Sequence, residues 1–118
     1  MPEAAYVKRV IVDIDGTLTV ETEGFGDDVY RERTPRPVMI KYIRDIHESG
    51  MHVCLYTSRF ACDEEVTKEW LEKHGVPYDE LVFDKPQYDL WIDDKSVKPE
   101  LVEMSFNVAQ TMIKPKGE

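Results

Sequence analysis

A β-branched apolar run over residues 10–12 ends in two acidic residues, Asp13 and Asp15, and Gly16 and Thr17 follow at once. This pattern predicts a buried strand that carries carboxylates at its C-terminal tip. Alternate side chains of a strand share a face, so the two negative charges would repel each other unless a cation or a shared proton joins them. The glycine permits a sharp turn, after which the threonine and nearby N–H groups can face an anion. An ordinary turn explains one aspartate and the glycine but leaves the second aspartate unexplained.

The length and composition indicate one domain over residues 1–118, with a single core. No apolar run approaches the length of a membrane span and the first nine residues do not resemble a signal peptide, so we expect a cytoplasmic protein without membrane contact. The net charge of −9 argues against a nucleic-acid partner, which would need a basic surface. Cys54 and Cys62 lie in different surroundings, and we expect both to be free thiols.

The rest of the chain alternates between strand-like and helix-like patterns. Strands are predicted over residues 51–56, 81–83 and 88–92, and helices over residues 35–50, 63–75 and 99–112. A polar, acidic flap is predicted over residues 19–33 and a frayed tail over residues 114–118. Strands that alternate with helices indicate an α/β domain with a parallel sheet and right-handed crossovers.

Polar residues follow each of the four predicted strands. Because parallel strands point the same way, these residues can meet at one edge of the sheet. They are Asp13 and Asp15, then Thr57 and Ser58, then Lys85, and finally Asp93 and Asp94.

Several residues at or next to the strand tips have simpler interpretations that the sequence alone leaves open. Lys85 could be a turn lysine before Pro86, and Asp93 with Asp94 could be a solvated cap for the last helix. Arg59 could be either a surface charge or a substrate contact.

Taken in order, the strand tips resemble the motifs of the haloacid dehalogenase superfamily of aspartate-dependent phosphohydrolases. Residues 13–17 are similar to the first motif, Thr57 to the second, Lys85 to the third, and the pair Asp93 and Asp94 to the fourth. The residues around these motifs further resemble those of small members of the capsule and polysaccharide biosynthesis phosphatases. The resemblance implies a three-layer Rossmann-like sandwich with strand order 3-2-1-4 and no cap domain, since neither interval between motifs has room for one.

The resemblance also implies a role for each residue in a Mg²⁺-dependent phosphomonoester hydrolase. Asp13 would attack phosphorus to give an aspartyl-phosphate, and Asp15 would act as general acid and base. Thr57 and Lys85 would hold the phosphate as the other catalytic residues. The resemblance assigns Gly16, Thr17, Ser58 and Arg59 to phosphate or substrate binding. It assigns Mg²⁺ to one oxygen of Asp13, the backbone carbonyl of Asp15 and Asp93, with Asp94 in an outer shell or in contact through water.

Without a cap, an open site would be closed by a bulky substrate or by a second subunit, so we expect a homo-oligomer or a substrate carried on a large group. The partner we expect is a phosphorylated small molecule or saccharide, such as a sugar phosphate. The leaving group of the substrate would be bound by residues of the flap, for which the candidates are Phe25 and Tyr30, with Arg31 or Arg33.

Two other functions use similar residues. A regulatory module resembling response-regulator receivers also places acids, a hydroxyl and a lysine on strand tips, although it carries them in a different order. Phosphoryl transfer to an acceptor other than water would need a cap or a partner to exclude water.

Overall fold

The computed structural model describes residues 8–110 and contains a parallel sheet with helices packed around it. The elements in chain order are β1 (Arg9–Val12), α1 (Asp27–Arg31), α2 (Pro37–Glu48), β2 (His52–Tyr56), a 3₁₀ turn (Ala61–Asp63), α3 (Glu64–Lys73), β3 (Glu80–Val82), α4 (Pro99–Met104) and α5 (Phe106–Gln110). None of the helices in this part of the chain is long and apolar enough to cross a bilayer.

The three strands are all parallel and lie in the order β1-β2-β3. In the central strand, the consecutive residues Val53, Cys54 and Leu55 are all buried. Successive side chains of a strand point to opposite faces, so both faces of the sheet are covered at β2. This arrangement confirms the predicted α/β sandwich with a parallel sheet.

The two long helices cover the sheet with the apolar stripes that predicted them. In α2, Pro37 occupies the first turn, and Ile40, Ile43 and Ile46 recur at helical spacing and are buried. In α3, Trp70 is buried and its indole N–H donates to the Arg33 carbonyl at 2.8 Å, which anchors the end of the flap.

The predicted fourth strand does not form, so the predicted strand order 3-2-1-4 is realised only as 3-2-1 within residues 8–110. Leu90 and Ile92 alternate as in a strand, yet they are 76% and 88% exposed. Local contacts explain the difference: Trp91 packs against Tyr88 and donates its indole N–H to Asp93. The segment does not pair with β1, which stays at an edge of the described sheet.

The predicted last helix is divided in two by Ser105, whose backbone leaves the helical region. Val102 of α4 and Ala109 of α5 are buried, whereas the apolar side chains of Leu101 and Met104 are exposed. The C-terminal helices are fixed to α2, because the Tyr42 hydroxyl donates to the Ala109 carbonyl at 3.0 Å. The predicted tail over residues 114–118 lies outside the described residues.

The predicted flap is partly helical. A bridge between Thr19 and Pro35 closes its base, and α1 forms its second half. Phe25 at the tip is exposed, while Tyr30 is buried. Both cysteines are free, as predicted.

Candidate active site

The turn after β1 is fixed by the core beneath it. Asp13 follows the last residue of the strand, and the carbonyl of Ile14 accepts N–H groups from Thr17, Leu18 and Thr19 at 2.8 to 3.2 Å. Ile14 and Leu18 are fully buried, so the turn has two apolar anchors. The backbone is therefore held in place where the acidic residues leave the sheet.

Asp13 and Lys85 form an ion pair at the edge of the sheet. The Asp13 Oδ1 lies 3.5 Å from the Lys85 Nζ, and Lys85 is only 9% exposed. Burial raises the pKa of Asp13 above its ordinary value, and the Lys85 ammonium opposes that rise. The lysine is thus inside the site, where a turn lysine would have pointed to solvent.

Lys85 is held there by its own loop. The Lys85 N–H donates to the Thr57 carbonyl at 2.9 Å, and the Asp84 N–H donates to the Arg59 carbonyl at 3.0 Å. Asp84 has a φ of +63°, a left-handed conformation that aspartate tolerates better than most residues. These bonds join the tip of β3 to the tip of β2.

Asp15 is held by Arg59 through two hydrogen bonds. The guanidinium donates from Nε to Oδ2 at 2.9 Å and from Nη2 to Oδ1 at 2.7 Å. Arg59 is buried, donates a third bond to the Thr67 hydroxyl at 2.9 Å, and lies 3.9 Å from the centroid of the Tyr30 ring. A planar, bidentate pair of an arginine and a carboxylate fixes the orientation of the carboxylate. Arg59 is therefore a partner of Asp15, which neither of the two sequence interpretations foresaw.

Arg33 is a second arginine near the same carboxylate. Its Nη2 donates to the Gly24 carbonyl at 3.0 Å, and its Nε lies 4.0 Å from the Asp15 Oδ1. The side chain is buried, and its Nε and Nη1 have no hydrogen-bond partner among residues 8–110. This arginine connects the flap tip to the acid site.

The predicted phosphate-binding groups differ in whether they line the cleft or are bonded within the protein. The Thr57 hydroxyl is buried and accepts the Arg59 N–H at 3.1 Å. The Gly16 N–H donates to the Thr19 hydroxyl, and the Thr17 N–H is bonded to a carbonyl of its own turn. Ser58 is the hydroxyl that lines the open cleft.

The cleft has a volume of about 460 Å³, within the range of small-molecule sites. Its lining consists of Asp13, Asp15, Glu21, Ser58, Lys85, Pro86, Gln87 and Tyr88. Glu21, Gln87 and Tyr88 were not among the predicted site residues. The sequence feature that could have pointed to these three residues is that each lies within six residues of a motif.

The four predicted metal ligands are not brought together. Asp93 and Asp94 are exposed and do not line the cleft, and hydrogen bonds from the Trp91 indole and the Lys95 N–H lower the pKa of Asp93. No group of three or more His, Cys, Asp or Glu side chains that could hold a metal ion occurs within residues 8–110. The reason is the unformed fourth strand, which was expected to carry Asp93 beside Asp13.

The donor set therefore does not fit the predicted Mg²⁺ centre in this arrangement. Mg²⁺ needs near-octahedral oxygen ligands, and of the four predicted ligands Asp13 and Asp15 line the cleft whereas Asp93 and Asp94 do not.

Several known proteins share this fold. One from Vibrio cholerae is 32% identical, with a TM-score of 0.71, over 91% of this chain and 97% of that chain. A chain of the Pnkp1/Rnl/Hen1 complex is 21% identical with a TM-score of 0.58, covering 84% of this chain and 35% of that one. D,D-heptose 1.7-bisphosphate phosphatase from B. bronchiseptica, complexed with magnesium and phosphate, is 18% identical with a TM-score of 0.54, covering 90% and 64%.

The last two likenesses show the fold alone, and no curated protein sequence matches the chain. The family is shown by a sequence model, described as the polynucleotide kinase PNKP phosphatase domain, that matches residues 7–112. The match covers nearly the whole chain and includes all the strand tips described above. The chain is a phosphatase that belongs to the haloacid dehalogenase superfamily, in the family of the PNKP phosphatase domain.

Proposed function

We propose that the protein hydrolyses phosphomonoesters through an aspartyl-phosphate on Asp13, and that its substrate is a sugar phosphate or a related metabolite. The observation that carries the proposal is the ion pair between Asp13 and Lys85 at the bottom of the cleft, with Asp15 beside it. This arrangement supports Asp13 as the nucleophile, Lys85 as the cation for the phosphate and Asp15 as the acid, all at the C-terminal edge of the sheet.

In the first step, an Asp13 oxygen would form a bond to phosphorus while the bond from phosphorus to the leaving oxygen breaks. Asp15 would give a proton to that oxygen and later take one from the water that releases phosphate. Lys85 would offset negative charge on the transferring group. Arg59 would keep the Asp15 carboxylate turned toward the cleft, since it binds both oxygens.

We also propose that activity depends on Mg²⁺. Support comes from the superfamily and from the B. bronchiseptica phosphatase, whose structure is complexed with magnesium and phosphate. Of the predicted ligands, Asp13 and Asp15 already face the cleft, while Asp93 and Asp94 would have to move. Loss of phosphate release on adding EDTA, with recovery on adding excess Mg²⁺, would support the dependence. Full activity in EDTA would refute it.

A polynucleotide phosphate end is the second candidate substrate, because the matching family is named for a polynucleotide kinase. The charge of the chain opposes it: the net charge is −9, and Glu21 adds a carboxylate to the cleft lining. A long polyanion would meet repulsion along this surface. The receiver-like alternative loses support, because the chain belongs to a phosphatase family.

The test is release of inorganic phosphate from a panel of hexose phosphates, nucleotides and phosphorylated oligonucleotides. We expect hexose phosphates to give the highest kcat/KM, and Asp13→Asn to abolish release from every ester. If the oligonucleotide is the best substrate, the sugar proposal is wrong. If wild-type protein transfers phosphate to an added alcohol but not to water, the reaction is transfer and the hydrolase proposal is wrong.

A further inference from the structure

We infer that Tyr88 and Trp91 form an aromatic platform, here called the 88/91 platform, that binds the sugar ring of the substrate beside the transferring phosphate. The inference rests on the proposed function and names the part of the chain that selects the leaving group. These residues belong to the segment that was expected to be a buried strand, and the structure turns both rings outward.

The two rings are in tilted contact with each other. Their centroids are 5.0 Å apart at an interplanar angle of 58°, and Tyr88 and Trp91 are 49% and 48% exposed. Tyr88 itself lines the cleft. Aromatic side chains that are half exposed at the mouth of a polar cleft provide a large, rigid contact surface at little cost in conformational entropy.

The platform is joined to the phosphate-binding lysine. The Lys85 Nζ lies 3.5 Å from the Tyr88 hydroxyl, and it lies over the rings of Tyr88 and Trp91, at 5.0 and 5.4 Å from their centroids. Tyr56 supplies a third ring at 5.8 Å. A cation is attracted to the faces of these rings, so the platform and the ammonium hold each other in place. A leaving group bonded to the phosphate at Lys85 would therefore lie within reach of the platform.

The polar lining of the cleft favours a sugar over a nucleobase. Glu21, Ser58 and Gln87 face the same space and can accept or donate hydrogen bonds to hydroxyl groups. The C–H groups of a pyranose are weakly positive and suit the negative face of an aromatic ring. The two rings meet at a steep angle, so they do not form a parallel slot in which a base could stack between two rings.

The flap aromatics, which the sequence suggested for this role, are placed less well. Tyr30 is buried beneath the Arg59 guanidinium, and Phe25, although exposed, does not line the cleft. Phe25 therefore provides a matched control: it is an exposed aromatic near the site but outside the platform.

The first experiment measures steady-state kinetics on the best hexose phosphate of the panel and on glycerol 3-phosphate, which has no ring. We expect Tyr88→Ala and Trp91→Ala each to raise KM for the hexose phosphate about tenfold more than KM for glycerol 3-phosphate, because both substrates register any change at Lys85 but only the first has a ring to lose its contact. Phe25→Ala should change neither value. Equal effects on both substrates, or no effect on either, would overturn the inference.

The second experiment detects binding without turnover. The chain has two tryptophans, and Trp70 is buried in the core, so a change in exposed tryptophan emission reports on Trp91. In Asp13→Asn protein at fixed Mg²⁺, we expect the hexose phosphate to shift the emission more than inorganic phosphate does, because only the sugar contacts the Trp91 ring, and Trp91→Phe to abolish the difference. Equal shifts with the hexose phosphate and with phosphate alone would overturn the inference.

The two proposals fail in different ways. If wild-type protein releases no phosphate from any ester while the hexose phosphate still shifts Trp91 emission, the proposed function is wrong and the platform stands as a binding site. If phosphate is released but the 88/91 variants behave as wild type, the platform is wrong and the function stands.

Discussion

Arg59 and Asp15 show how a residue that looked ambiguous in the sequence obtains a defined role. The guanidinium is buried, binds both carboxylate oxygens and is covered by the Tyr30 ring. A buried charge requires a partner, and here each group supplies it for the other. The pair therefore serves stability and, if Asp15 is the acid, catalysis as well.

Arg59→Lys should separate these two contributions. Lysine keeps the positive charge but cannot make the bidentate contact of a guanidinium. We therefore expect kcat to fall about 10²-fold, because Asp15 loses its orientation, and the free energy of unfolding to fall by about 1–3 kcal/mol. Phosphate-release kinetics and urea unfolding measure the two effects. Arg31→Lys, at an exposed arginine paired with Glu69, is the control and should change neither. Wild-type kcat in Arg59→Lys would show that Asp15 needs no orientation by Arg59.

Gly16 offers a second residue-scale test, because its φ is +83° and an added Cβ would lie 3.0 Å from the Glu21 Oε1. Gly16→Ala should cost about 1–2 kcal/mol of stability from backbone strain, and it should lower kcat/KM because it moves the turn that carries Asp15. Gly50→Ala has a similar φ of +96°, with nothing within 4 Å of the new Cβ, and lies at the end of α2. It should cost similar stability and leave kinetics unchanged; equal kinetic losses in both variants would contradict the expectation.

At the scale of elements, the sequence was informative where hydrophobic periodicity decides the outcome. The tips of β1 and β3 were located from their apolar runs, and the structure brings Asp13 and Lys85 together there. Residues 88–92 carry a comparable alternation, but a strand also needs a hydrogen-bonded neighbour, which periodicity cannot reveal. The Tyr88 ring contacts the Trp91 ring instead, and the Trp91 indole N–H donates to Asp93. Asp93, a predicted metal ligand, therefore does not line the cleft.

The C-terminal end of α3 should make stability depend on pH. His74 packs on Trp70, with ring centroids 4.3 Å apart, and burial together with Lys73 lowers its pKa below 6.5. The unfolded chain therefore binds more protons than the folded one in the window below about pH 6.5, so stability falls as the pH drops through that window. Urea unfolding from about pH 7.5 to 5 should show a shallower decline in His74→Gln than in wild type. Parallel curves would mean that His74 does not contribute.

For the whole molecule, the exposed surface of the sheet bears on oligomeric state. Within the described residues, β1 has a hydrogen-bonded neighbour on one side only, and Ile11 on its uncovered face is 63% exposed. Edge strands with exposed apolar residues tend to pair with another chain. A second copy placed along β1 would both bury this surface and narrow the cleft.

We therefore expect concentration-dependent self-association, and Ile11→Lys should raise its dissociation constant about tenfold or more, because a charge would replace a central apolar contact. Phe60→Lys, which charges an exposed apolar residue outside the sheet, is the matched control and should leave association unchanged. Light scattering over a concentration series measures both variants, and circular dichroism checks that each is folded. A wild-type protein that stays monomeric at every concentration, or a dimer insensitive to Ile11→Lys, would exclude β1 as the contact. In that case the substrate itself would close the cleft, with its sugar ring against Tyr88 and Trp91.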